Sequence, residues 1–232
     1  MERKIQLLHP AFDFVFYLVV TISLVFAVFV SILYPNVILE QGLSHRIFYL
    51  HVPVAWVALY GPMLSFVFSL VYLFQKNLLW DRLAFTANQL AFVFALGVLF
   101  SGPIWAYSAW GVPWDKTDAR LQSFFILCLS LLSYFIFRYL VPSRKKKAIL
   151  SAYLSLLCAV SAVLTWGAIR WIENPGNHPG SVLGKGGMDS DMKQTMWLGV
   201  LAYHFLFLIL FLLSNRNEKL QELKHTLRAE MD

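Results

Sequence analysis

Residues 12–34 read FDFVFYLVVTISLVFAVFVSILY, and the only charge in the stretch is Asp13. An apolar run of about twenty residues is long enough to cross a bilayer as a helix. Hydrocarbon offers the backbone no hydrogen-bonding partner, so a spanning segment must satisfy its own N–H and C=O groups.

The same pattern recurs along the chain. Apolar spans fall at roughly 12–34, 50–75, 84–105, 121–141, 148–170 and 195–214. The spacing predicts an all-α integral membrane protein, a bundle of six transmembrane helices forming a single membrane domain over 1–232. Composition agrees: 59% of the 232 residues are hydrophobic and 14% charged, whereas soluble domains are close to a quarter charged. The net charge of +6 does not indicate nucleic acid, because the Lys and Arg residues lie between the apolar runs, where they set orientation. Thirteen of the nineteen, among them Lys76, Arg82 and Arg144–Lys147, fall on one side, and six, among them Arg46, Arg120 and Arg170, on the other. The excess predicts that the first side is cytoplasmic, with both termini there and three longer loops outside. Cys128 and Cys158 lie inside apolar runs, without the paired spacing of a redox or zinc motif. The chain has no phosphate-binding Gly-rich loop, no His-Glu-x-x-His and no Gly-x-Ser-x-Gly.

The residues that carry chemistry gather on the predicted outer side. The stretch SGPIWAYSAWGVPWDKTDARL at 101–121 places Trp105, Tyr107, Trp110 and Trp114 close together among Gly and Pro. An interfacial belt also uses Trp and Tyr, but a cluster in one loop reads equally as a flat platform for a large planar ligand. His51 opens the second span and His178 lies in the third outer loop. Two neutral imidazoles on one side of the membrane can ligate one iron from opposite faces. Arg46, Arg120 and Arg170 can pair with carboxylates or anchor helix ends. Asp115 and Asp118 can orient a ligating ring or cap the fourth helix, and capping is the simpler role. His204 falls mid-span, where a neutral ring bonded to a neighbour is the plain reading. His45 is a substitute ligand candidate.

Taken together these residues resemble the haem-handling membrane proteins of cytochrome c maturation, in particular the six-helix CcmC family. The matching pieces are His51-Val52-Pro53-x-Ala55-Trp56, Ser101-Gly102-Pro103-Ile104-Trp105, Trp110-Gly111 through Asp118-Ala119-Arg120-Leu121, and His178-x-Gly180-Ser181. Their order and spacing cover nearly the whole chain. The resemblance implies a multi-pass protein of the bacterial inner membrane that binds haem b as transient cargo on the periplasmic face. His51 and His178 would be axial ligands, and the loop around Trp110 and Trp114 would hold the ring. It further implies transfer to a periplasmic haem chaperone, CcmE, with an ABC-type complex, CcmA–CcmB, driving release. The work would be binding and delivery and not enzymatic turnover. A b-type haem electron-transfer oxidoreductase and a small-molecule transporter are the competing functions. One position departs from the family pattern: Thr117 stands where the family has a Trp before Asp-Ala-Arg-Leu, so part of the aromatic surface is expected to be missing or shifted in register.

Overall fold

The computed structural model describes residues 10–36, 42–173, 176–178 and 188–231. All the regular elements among them are helices: α1 Pro10–Leu33, a 3-10 turn Leu43–Ile47 that runs into α2 Phe48–Gln75, then α3 Leu78–Trp110, α4 Ala119–Leu140, α5 Arg144–Trp171 and α6 Ser190–Met231. Each of the six is long and apolar enough to cross a membrane. Of the resembling motifs, Gly180 and Ser181 lie outside the described residues.

Several helices outrun the apolar spans that announce them. Hydropathy marks the part of a helix that needs lipid, whereas capping and packing mark where it ends. α3 begins six residues before the span at 84, because the Asn77 side chain accepts the Leu79 N–H at 3.0 Å and caps it. At its other end α3 continues to Trp110, where Gly111 at φ 76° terminates it. Trp105, Tyr107 and Trp110, expected in a loop, are therefore helical, and the loop proper is only 111–118. α6 likewise continues through its charged tail, past Leu220, Leu223 and Leu227, as an extension of the sixth span. At 1.5 Å per residue the 42 residues of α6 reach about 63 Å, roughly twice the hydrocarbon thickness. Glu222 ties this extension back, pairing with Arg82 of α3 at 3.0 Å and Arg144 of α5 at 2.8 Å.

α2 is the central helix, packed against α3, α5 and α6, while α4 packs on α5 and α1 on α6. Without a hydrophobic drive between helices in lipid, close approach depends on small residues. A Cβ on Gly61 of α2 would lie 2.7 Å from the Ala91 Cβ of α3. The inner face of α5 is built from Ala, Ser, Cys, Thr and Gly, from Ala148 to Ala168. α2 starts at Phe48, two residues before the apolar span at 50, so Pro53 falls inside the helix. Its ring has no N–H for the Tyr49 carbonyl, and α6 comes close at this point because residue 199 is glycine. A Cβ there would meet the Tyr49 oxygen and the Pro53 Cγ at 3.0 Å each.

Polar groups join the helices within the bundle. Arg138 of α4 makes two bonds of 2.8 Å to the Asp81 carboxylate of α3 and a third of 2.8 Å to Ser151 of α5. The side chains are 15% and 11% exposed, and the guanidinium also lies 4.7 Å from the centre of the Phe85 ring. Removing one partner of a buried pair strands the other charge, at about 3–5 kcal/mol. Asp81→Ala is therefore expected to lower the thermal unfolding temperature in detergent sharply, and Asp81→Ala combined with Arg138→Met to recover most of the loss. Equal losses in the single and double variants would show that the pair is not a unit.

Candidate functional site: a cavity between two histidines

At the end of the bundle where α2 begins, a cavity of about 510 Å³ opens between α2, α3, α4 and α5, within the size range of cofactor-scale sites. His51, Trp105, Trp110, Trp114, Arg120 and His178 line it, and Asp118 holds its rim together.

His51 projects from the first turns of α2. Its Nδ1 lies 2.9 Å from Ser101 Oγ, and that hydroxyl donates its single proton to the Gly97 carbonyl at 2.8 Å. With that proton kept on the Gly97 carbonyl, the hydroxyl accepts from His51 Nδ1–H, and in that arrangement Nε2 carries the free lone pair. This is the tautomer a metal-ligating histidine needs, held by an outer partner that fixes the ring. Space for the ring depends on Gly102, whose Cβ would lie 3.3 Å from His51 Cε1.

His178 reaches the cavity through Asp118. The Asp118 side chain is fully buried and caps α4, with Oδ1 accepting the N–H groups of Arg120 and Leu121 at 3.0 Å each. Oδ2 accepts the His178 backbone N–H at 2.8 Å. The His178 Nδ1 stands 3.2 Å from Oδ1, at contact distance but off the line of a good hydrogen bond. The capping role thus falls to Asp118, and the same carboxylate holds the His178 backbone rather than its ring. Burial pushes the Asp118 carboxyl up, but the His178 ring and the Leu121 and His178 N–H groups outweigh it and bring it down to about 2. Beside it, Asp115 Oδ2 accepts from the Asn177 amide at 2.8 Å. Gly176, at φ 106°, lets the segment lie against the loop, since a Cβ there would come within 2.6 Å of the Asp118 Cα.

The aromatic rings form walls and not the expected flat platform. Trp105 and Trp110 are 6.4 Å apart and tilted by 38°. Trp105 lies 5.9 Å from His51 and Trp110 meets His178 edge-on at 5.2 Å, so a chain of rings links the two histidines. Trp114 enters the cavity separately, against Phe125 of α4 at 6.0 Å. Thr117 does not line the cavity. Its N–H and hydroxyl both donate to Asp115 Oδ1, at 2.8 and 2.7 Å, and so it shapes the turn that carries Trp114 and Asp118. The family motif includes Trp56 but gives it no role, and sequence reading missed Trp166; both line the cavity from α2 and α5, within spans where an aromatic residue gives no signal of its own.

The arginines divide. Arg120 and Arg170 line the cavity, and Arg170 is stacked over the Trp166 ring at 4.2 Å. Arg46 does not line it; its guanidinium donates to the Ser31 carbonyl of α1 at 3.2 Å, an anchor for the 3-10 turn. His45 is also turned away, with Nδ1 2.9 Å from the Gly42 carbonyl. His204 bonds the Val200 carbonyl of its own helix at 2.6 Å and stacks on Tyr60 of α2 at 5.1 Å, so it meets a neighbouring helix by ring contact and not by the expected hydrogen bond.

A family model described as Heme exporter protein C, CcmC, matches residues 3–230. The chain belongs to this family. Among curated relatives it is 32% identical over 184 residues to the Heme exporter protein C of Rhodobacter capsulatus, covering 77% of this chain and 74% of the relative. It is 29% identical over 197 residues to a putative cytochrome c biosynthesis ccmC-like mitochondrial protein of Arabidopsis thaliana, covering 83% and 73%. To the Heme exporter protein C of Escherichia coli K12 it is 26% identical over 185 residues, covering 77% and 71%.

The Asp118 joint gives a graded expectation. Asp118→Ala removes the α4 cap and should cost about 0.5–2 kcal/mol; Asp118→Asn keeps a capping oxygen and should cost less, both measured by thermal unfolding in detergent. Because the carboxyl is held below its usual 3.8, its contribution is complete above about pH 4 and fades as pH falls toward about 2. Equal losses in the two variants would show that the cap is not what Asp118 supplies.

Proposed function

We propose that this protein binds haem b as transient cargo between His51 and His178 and presents it at the outer face of the bacterial inner membrane for cytochrome c maturation. The observation that carries the reading is the pair of imidazoles lining one cavity, with His51 Nδ1 committed to Ser101 and Nε2 left for iron. Aromatic walls suit the porphyrin faces. Arg120 and Arg170 suit its two propionates, for which a guanidinium is the matching donor. The names of the relatives, haem exporter and cytochrome c biosynthesis components, support the same cargo.

The helix directions support the orientation. Described cations at the His51 end, such as Arg46, Arg120, Arg170 and Lys193, are fewer than those at the opposite end, which includes Arg144–Lys147 and Arg216. By the positive-inside rule the cavity faces the periplasm and both termini face the cytoplasm. The task is binding and delivery, without bond-making turnover. Two histidines would keep the iron coordinatively saturated until a periplasmic haem chaperone of the CcmE type competes for an axial position, with a CcmA–CcmB-type ABC complex driving release of the loaded chaperone. Asp118 and Ser101 hold the two rings in place through the exchange.

The purified protein, supplied with haem in detergent, is expected to show a low-spin absorption spectrum that weakens or shifts in both His51→Ala and His178→Ala. If both variants keep the native spectrum and full transfer, the reading fails. Quinol-dependent redox turnover would favour an electron-transfer oxidoreductase, and substrate flux in vesicles without bound haem would favour a transporter.

A further inference from the structure

The cavity is divided along its length. Arg120 and Arg170 stand at the outer end, and the lining then follows α2 to Met63, about 18 Å along the helix from His51. Apart from Tyr60, the α2 side of this lower part is Ala55, Leu59 and Met63, faced by Val98 of α3 and by Ala162 and Val163 of α5. The Thr165 hydroxyl adds nothing polar, because it donates to the Ser161 carbonyl of its own helix at 2.9 Å. Val163, Trp166 and Arg170 line the cavity from one face of α5. Met63, Val163 and Trp166 are 38%, 38% and 46% exposed, so the cavity is open along the α2–α5 seam. At that depth the medium outside is acyl chain. A cation stands at headgroup level on the same seam, since Arg170 is one residue from the end of α5 at Trp171. Its guanidinium lies over the Trp166 ring and donates to the Trp166 carbonyl at 2.6 Å. Among the described residues neither Arg170 nor Arg120 pairs with a carboxylate.

We propose that this cavity is also a lipid site: when it carries no haem, one acyl chain of an anionic phospholipid lies in its lower part with the phosphate on Arg170 and Arg120, and haem displaces it. The displacement rests on the haem-binding reading above; the lipid site does not. An apolar hollow attracts no water, and a wall without neighbours loses its dispersion contacts, so acyl chain is the medium suited to fill it. The dimensions agree, because the lower part reaches about 18 Å and one leaflet of hydrocarbon is about 15 Å thick. The outer end selects the headgroup. Two guanidiniums without carboxylate partners match a phosphodiester, and a head that carries no ammonium leaves that pairing uncontested. Haem has the same division, an apolar body with an anionic edge, so the two compete for the same walls and the same two cations. The lipid keeps the walls apart and the cations paired between cargoes.

The test uses the full-length protein in a non-ionic detergent, titrated with phosphatidylglycerol and read by native mass spectrometry. A single tightly retained lipid is expected, in preference to phosphatidylcholine, and haemin should release it as the haem adduct forms. Leu59→Trp and Val163→Trp fill the lower part from opposite walls, and each should abolish retention. Arg120→Gln combined with Arg170→Gln should weaken it about tenfold and remove the preference over phosphatidylcholine. Ile126→Trp, on the lipid face of α4 (54% exposed), should change nothing, and glycerophosphoglycerol, the headgroup without chains, should not bind. Retention at the native level in both Trp variants and in the arginine variant would show lipid held elsewhere on the surface and overturn the site. Tight binding of glycerophosphoglycerol would overturn the lipid and leave a phosphate site. If the lipid is retained as expected but stays when haemin binds, the displacement is overturned. If haemin does not bind at all, the haem reading falls and the lipid site stands.

Discussion

Hydrocarbon contains no water, and every other feature of this structure answers to that. Backbone polar groups must be paired within each segment, so the chain crosses as helices. Helices surrounded by lipid gain little from burying apolar faces against each other, so they are held by close approach of small residues and by polar bonds that have no other partner. The consequences are specific: glycine at 61 and 199 where α2 meets α3 and α6, a stripe of small side chains down α5, and the Asp81–Arg138–Ser151 bonds that join three helices. A bundle assembled in this way can leave a sizeable space at one end, because the helices touch where residues are small and separate where they are large.

The cavity occupies that space. Its two histidines arrive by different physical routes. His51 rides on the rigid start of the central helix, and its Nδ1 is bonded to a serine one helix away. His178 rides on an irregular segment and owes its place to the loop at 111–118, whose Asp115 and Asp118 hold the Asn177 side chain and the His178 backbone. Asp118 is the joint between the two, since one buried carboxylate ends the loop, starts α4 and anchors the third outer segment. Its depressed pKa keeps that joint charged through the physiological range.

How much of this was readable in advance varies from residue to residue. The six spans, the one-sided placement of His51, His178 and the Trp cluster, and the capping role of Asp118 follow from composition, periodicity and local rules, which act over a few residues. Helix ends were less legible, because Asn77 and Gly111 place them and hydropathy does not sense caps. Arg46 was indistinguishable in sequence from Arg120 and Arg170; only packing shows that it turns to α1. Trp56 and Trp166 looked like any aromatic residue in a membrane helix.

The sequence by itself determined that this chain is a six-helix membrane protein with its chemistry gathered at one end, because crossing a bilayer imposes a local and continuous requirement on each segment. Only the tertiary structure decided that the tryptophans stand as walls, that Ser101 bonds the His51 ring and that Thr117 shapes a turn. These depend on which helices touch and at what separation, and that is settled by side chains far apart in the chain.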